Sequence, residues 1–153
     1  MLHAVIMAGG SGTRFWPESR RSRPKQFLKM KGDRSLIQQA VDRCQPDIPA
    51  SRVWIATGTS YISESQKQVP EVNPQHILAE PCGRNTAPCI GLAAIHIVKE
   101  DPDATMLVMP ADHIIAPPER FRDAVRHAAE IIQTTKQASV LIGVVPTFAA
   151  TGY

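Results

Sequence analysis

Short apolar runs alternate along the chain with longer stretches in which apolar residues recur every three or four positions. Leu2–Ala8 is an uninterrupted apolar run closed by Gly9 and Gly10, the pattern of a buried strand. Arg34–Cys44 carries Leu36, Ala40, Val41 and Cys44 on one helical face. Arg52–Thr57 predicts a second strand, Ser60–Gln68 a second helix and Gln75–Ala79 a short third strand. Asn85–Glu100 predicts a long helix with Asn85 or Thr86 as its N-cap and Pro88 tolerated in the first turn. Thr105–Met109 follows as a fourth strand. Pro118–Gln133 places Phe121, Val125, Ala128 and Ile132 on one stripe of a helix, and Ser139–Val144 predicts a fifth strand.

Strands that alternate with helices of this length build a parallel sheet between helical layers. The expected fold class is α/β: a Rossmann-like, mostly parallel sheet flanked by helices on both faces. In such sheets ligands sit in the crevice beyond the carboxyl ends of the strands. The residues to inspect therefore follow Ala8, Thr57, Ala79 and Met109.

Composition narrows the function classes. The 153 residues suit one domain, and 43% hydrophobic with 20% charged residues is an ordinary globular balance. The net charge is only +3, and basic residues are dense only from Arg14 to Arg34. That stretch could face an RNA backbone or a small polyphosphate. The few aromatic residues offer little for stacking single-stranded bases, so a small anionic ligand is preferred and no nucleic-acid partner is expected. Cys44, Cys82 and Cys89 are odd in number and lack C-x-x-C spacing, which argues against a disulfide framework or a structural zinc and suits a reducing, cytoplasmic setting. The N-terminal apolar run lacks a basic flank and is too short for a signal peptide or a membrane span, so no membrane association is expected.

The first strand ends in G-G-S-G-T-R-F-W-P-E-S-R-R-S-R-P-K-Q-F, Gly9 to Phe27. Three glycines in four positions let the backbone approach an anion and turn successive N–H groups toward it. Arg14 and Lys25 add full positive charges, as a triphosphate requires. A lone Gly-Gly-x-Gly would read as a solvated turn. A P-loop is excluded because no Lys-Ser or Lys-Thr follows the glycines. The dinucleotide fingerprint is excluded because Phe15 fills the third glycine slot.

The whole segment resembles the signature of the sugar-1-phosphate nucleotidylyltransferases, G-G-x-G-T-R followed about ten residues later by a Lys. Trp16-Pro17, Ser19-Arg20 and Pro24-Lys25-Gln26-Phe27 are similar to the bacterial type of mannose-1-phosphate guanylyltransferase. Thymidylyl and uridylyl relatives typically place the Lys before the Pro, and the reverse order here favours the guanylyl branch. Glu80-Pro81-Cys82-Gly83-Arg84-Asn85-Thr86-Ala87-Pro88 resembles the segment of that family that lies close to the nucleotide. There Gly83 permits close approach and the following helix N-terminus offers free N–H groups, although Asn85 or Thr86 could simply cap its helix. Pro110-Ala111-Asp112-His113 matches a third family motif. Taken alone, Asp112 could cap a turn, and His113 reads as a packing group. His3, His76, His96 and His127 read as structural residues without partners.

The resemblance implies a nucleotide-diphospho-sugar transferase type of fold, with residues 1–153 as its nucleotide-binding part and the sugar-binding remainder absent. It implies that Ala8, Gly9, Gly10, Ser11, Gly12 and Thr13 wrap the nucleotide, joined by Glu80, Gly83, Arg84, Asn85 and Thr86. Glu80 could accept from guanine N1–H and N2–H. Asp112 is implied as a ligand of Mg²⁺, which takes one or two carboxylates besides phosphate and water. Arg14 would stabilise leaving pyrophosphate, and Lys25 would sit near the α-phosphate and the incoming sugar phosphate. The expected substrates are GTP and mannose 1-phosphate, and the products GDP-mannose and pyrophosphate. Ala150 stands where relatives commonly carry an acidic residue before Thr151-Gly152-Tyr153. An inactive GTP-binding remnant or regulatory module is the alternative, and a homo-oligomer is compatible with a sheet edge left open.

Overall fold

The computed structural model describes residues 1–10, 15–20, 22–135, 138–145 and 147–149. Its elements run β1 (Leu2–Met7), α1 (Leu36–Cys44), β2 (Val53–Gly58), α2 (Ile62–Gln68), β3 (Ile77–Glu80), α3 (Thr86–Glu100), β4 (Thr105–Pro110) and α4 (Pro118–Thr134). Single 3₁₀ turns at Lys25–Phe27, Ala50–Arg52, Thr59–Tyr61 and Pro74–His76 tighten the connections and account for most shifts from the sequence-based boundaries. At the start of α1, Gln38 Oε1 accepts from the Ser35 backbone N–H at 2.9 Å, one arm of a capping box.

The strands form one parallel sheet in the order β3-β2-β1-β4. Successive residues of β1 point to opposite faces, so one strand feeds two cores. Ala4 and Ile6 meet Val53 and Ile55 of β2 and Ile37, Ala40 and Val41 of α1 on one face, with Ile62 of α2 and Phe121 of α4 at the margin. Val5 joins Trp54, Leu78 and the α3 residues Ala93 and Ile97 on the other. Helices therefore cover both faces, as expected from the strand–helix alternation. α1 buries Leu36, Ala40, Val41 and Cys44, the stripe read from the sequence, and Ile37 beside them.

The topology selects one location along the rim. From β1 the chain moves outward through β2 to β3, then returns across the sheet to place β4 on the far side of β1. The switch in direction lies between the carboxyl ends of β1 and β4, where connections leave in opposite directions and a crevice opens.

Two expectations need correction. Residues 138–145 form no strand. Leu141, Val144 and Val145 are 93%, 90% and 84% exposed, with no neighbouring strand or apolar layer among the described residues to bury them. Strand propensity is chiefly a fit to such neighbours, so the apolar run alone does not suffice. The four structural histidines also have partners. His76 stacks on Trp54 with ring centroids 3.8 Å apart, and Trp54 Nε1 donates to His3 Nδ1 at 3.1 Å. His3 Nε2 and His76 Nε2 each lie 3.3 Å from a carboxylate, Asp101 and Glu100 respectively. His96 is tilted 6.4 Å from Trp54, and His127 lies 3.7 Å from Glu130.

Candidate nucleotide site

Beyond β1, Ala8 is buried and its N–H still donates to Ala56 O at 2.7 Å, so the strand's grip extends into the glycine turn. Its carbonyl accepts from Gln26 Nε2 at 2.7 Å and from Thr57 Oγ1 at 3.1 Å, both buried bonds. Gln26 is 4% exposed. Its bond anchors the Lys25–Phe27 turn to the end of β1, which delivers the adjacent Lys25 to the crevice. Sequence reasoning gave Gln26 no role of its own, and its only signal is its place inside the Pro24-Lys25-Gln26-Phe27 motif. Ser11, Gly12, Thr13 and Arg14 lie outside the described residues.

On the opposite wall, Ala111 N–H donates to Met7 O at 2.9 Å, continuing the β1–β4 ladder past its end. The next residue is Asp112. Lys25 Nζ donates to Asp112 Oδ2 at 3.0 Å, and the two side chains remain 21% and 41% exposed. Lys25 Nζ also sits 4.4 Å above the Phe15 ring. Trp16, in the same basic stretch, is 76% exposed. Met7, Ala8 and Gly10 form one wall of a cavity of about 210 Å³, Lys25 and Gln26 a second, and Ala111 and Asp112 a third. A larger cleft of about 770 Å³, lined by Arg23, Phe27, Tyr61 and Glu64, lies on the α2 side of the same turn. The smaller cavity is the candidate site, because it lies at the topological switch and gathers the converging cation, carboxylate and glycine turn.

Glu80 ends β3, and a Cβ built on Gly9 would stand 2.3 Å from its Oε2. Glycine at this position therefore lets the carboxylate lie directly against the turn. Thr59 Oγ1 donates to Glu80 O at 3.2 Å and ties the ends of β2 and β3 together. Burial, then the Glu80 charge and a hydrogen bond to it, push the Cys89 thiol up to about 11, so Cys89 serves as a neutral neighbour. Gly83, Arg84, Asn85 and Thr86 are exposed in the loop and first turn that follow. Asn85 occupies the N-cap position of α3, yet its side chain makes no capping bond, and its φ is +65°. Such a backbone is uncommon outside glycine, although asparagine tolerates it best. Simple helix capping does not account for Asn85.

Among the described residues, no cluster of three or more His, Cys, Asp or Glu side chains could hold a metal ion. Asp112 supplies a single carboxylate at the cavity. That donor set fits a hard cation that takes its other ligands from phosphate oxygens and water. His113, read from the sequence as a packing group, is exposed instead.

The family model described as "Nucleotidyl transferase" matches residues 3–153. The chain belongs to the nucleotidyl transferase family. Among curated members, it is 40% identical over 154 residues to mannose-1-phosphate guanylyltransferase 2 of Escherichia coli O157:H7, covering 98% of this chain and 31% of that protein. It is 42% identical over 156 residues to mannose-1-phosphate guanylyltransferase of Escherichia coli K12, covering 99% and 32%. The xanthan biosynthesis protein XanB of Xanthomonas campestris ATCC 33913 is 40% identical over 150 residues, with 97% and 32% covered. This nucleotidyl transferase chain thus spans about a third of the length of the curated relatives it matches. The Thermus thermophilus structure titled "mannose-1-phosphate geranyltransferase" aligns with a TM-score of 0.75 at 32% identity, covering 86% of this chain and 38% of that one. Among the described residues, no helix is long and apolar enough to cross a membrane.

Proposed function

We propose that this chain binds GTP and serves the transfer of its guanylyl group to mannose 1-phosphate, giving GDP-mannose and pyrophosphate. The observation that carries this reading is the meeting of Lys25, Asp112 and the Ala8–Gly10 turn at the β1–β4 switch point. The identity to mannose-1-phosphate guanylyltransferases over nearly the whole chain supports the choice of nucleotide and sugar. A cytosolic setting goes with it.

In this reaction an oxygen of the sugar phosphate attacks the α-phosphorus of GTP. The bond from that phosphorus to the bridging oxygen of the β-phosphate breaks, and pyrophosphate leaves. The nucleophile is already an anion, so the chain needs no strong general base. Its task is to hold two polyanions together and neutralise the charge that develops between them. Lys25, released from Asp112, would face the α-phosphate and the sugar phosphate. Arg14 would meet the leaving pyrophosphate. The backbone N–H groups from Gly9 to Thr13 would cradle the phosphates, while Glu80 would accept from guanine N1–H and N2–H. Gly83, Arg84, Asn85 and Thr86 would close over the nucleoside. Asp112 would hold Mg²⁺, which when bound supplies charge neutralisation and Lewis acidity at the phosphates.

A pyrophosphate-release assay tests the proposal. Release from GTP that depends on mannose 1-phosphate is the expected result. GTP binding without sugar-dependent release would instead establish a nucleotide-binding module without catalysis.

A further inference from the structure

We infer that Arg43 is a positioning residue: from α1 it holds the β4–α4 connection so that Asp112 stays aimed into the nucleotide cavity. This inference rests on the role proposed above for Asp112.

Arg43 lies in the last turn of α1 and is only 4% exposed. Its Nη2 donates to the backbone carbonyl of His113 at 2.7 Å, and its guanidinium carbon lies 5.6 Å from the centre of the Phe121 ring. Nη1 is buried with no hydrogen-bond partner, and among the described residues no carboxylate comes within ion-pair distance. Burial pulls the guanidinium below its ordinary pKa. A buried cation facing a neutral carbonyl and an aromatic ring, with no carboxylate, is an expensive way to fill the space between α1 and α4, where Leu or Met would carry no desolvation cost. Its purpose therefore lies in the bond it makes to the His113 carbonyl.

That bond falls on the residue immediately after Asp112. The residue immediately before is fixed as well, since Ala111 N–H donates to Met7 O at 2.9 Å. Asp112 is thus clamped on both flanks through backbone groups, one clamp from β1 and the other from Arg43. Its side chain bonds to Lys25. Taking up a metal or phosphates requires that bond to open, and the carboxylate would then depend on the two backbone clamps for its position. Groups that orient a metal-binding carboxylate typically change metal affinity about 10–100-fold when removed.

The test uses Arg43→Met, Arg43→Lys and Arg43→Gln, with two readouts: hydrogen exchange of the Ala111 amide, which is bonded to Met7 O, and the Mg²⁺ dependence of GTP binding by calorimetry. Arg43→Met is expected to keep a wild-type melting temperature within a few degrees, because the change also removes a buried charge. Exchange of the Ala111 amide is expected to quicken about tenfold or more while α1 stays protected. Apparent Mg²⁺ affinity is expected to fall at least about tenfold, with GTP affinity in chelator unchanged. Arg43→Lys, which can still donate to the His113 carbonyl, should recover most of both effects. A folded Arg43→Met protein with wild-type exchange and wild-type Mg²⁺ dependence would reduce Arg43 to packing and overturn the inference. If Arg43→Met does not fold, Arg43→Lys decides: slower exchange of the Ala111 amide than in Arg43→Gln sustains the clamp, and equal exchange overturns it. If wild-type protein shows no Mg²⁺-dependent GTP binding, the proposed function fails, and the exchange readout alone decides for or against the clamp.

Discussion

Lys25 Nζ and Asp112 Oδ2 stand 3.0 Å apart, joining loops that lie 87 residues apart in sequence. One comes from the turn after β1, and the other from the exit of β4. The two charges neutralise each other, and in the proposed reaction each partner would take up its role by letting go of the other. With Asp112 41% exposed, the pair contributes about 0–1 kcal/mol to stability. Lys25→Ala and Asp112→Asn are therefore expected to shift unfolding by less than about 1 kcal/mol in urea. The same changes are expected to cut pyrophosphate release by about 10²–10³-fold. A large loss of stability with little loss of turnover would reverse the assignment.

Gln26 offers a contrasting case, since its bond to the Ala8 carbonyl is buried. Gln26→Leu keeps the bulk and removes the donor. Ala8 O retains Thr57 Oγ1, so the expected cost is toward the low end, about 1 kcal/mol, for a carbonyl that loses one of two partners. Because the same bond places the Lys25 turn, GTP affinity should fall more steeply than stability. Parallel urea and calorimetric titrations check this.

Gly9→Ala would bring a methyl group to 2.3 Å from Glu80 Oε2. The obstacle is the end of a flexible side chain, so the fold should survive with its melting temperature nearly unchanged. The carboxylate must swing away. Preference for GTP over ATP is expected to drop about tenfold, equivalent to roughly 1.4 kcal/mol. Glu80→Gln should reproduce the selectivity loss without the steric cause, and retained selectivity in both would remove Glu80 from base recognition.

The rim far from the cavity sets the acid response. Burial lowers the His3 pKa from 6.5, outweighing the hydrogen bond and charge of Asp101. Below pH 6.5 the unfolded chain therefore takes up a proton that the folded chain resists, and stability falls on acidification. Asp101 is lowered from 3.8, first by its bond to the Met1 ammonium, so its contribution is present above that value and fades beneath it. Urea midpoints should decline from about pH 7 to about pH 5, with a further decline below about pH 4. His3→Phe should flatten the first step and leave the second.

The alternation of strands and helices was legible because apolar periodicity directly reports which faces become buried. Both covers of the sheet and the α1 stripe from Leu36 to Cys44 follow from it. The run at 139–144 misleads for the same reason: its apolar character is real, yet no described neighbour turns it into a strand. Glu80 and Asp112 were legible as candidates because they stand at strand ends, where ligands bind in such sheets, and Lys25 because it adds charge to the glycine segment and fits the family signature. The roles of Gln26 and Arg43 were not, since a polar residue within a motif or on a helix looks like any solvated side chain until the tertiary fold buries it. Likewise, no periodicity could reveal that Trp54 gathers His3 and His76 from separate elements.

The central claim is that the cavity between β1 and β4 takes a guanine nucleotide together with Mg²⁺. Calorimetric titration with GTP, with and without Mg²⁺ and against dTTP, tests it most directly. The predicted result is Mg²⁺-dependent binding of GTP that dTTP does not match and that Lys25→Ala weakens. Absence of GTP binding by the folded chain, or equal binding of dTTP, would contradict it.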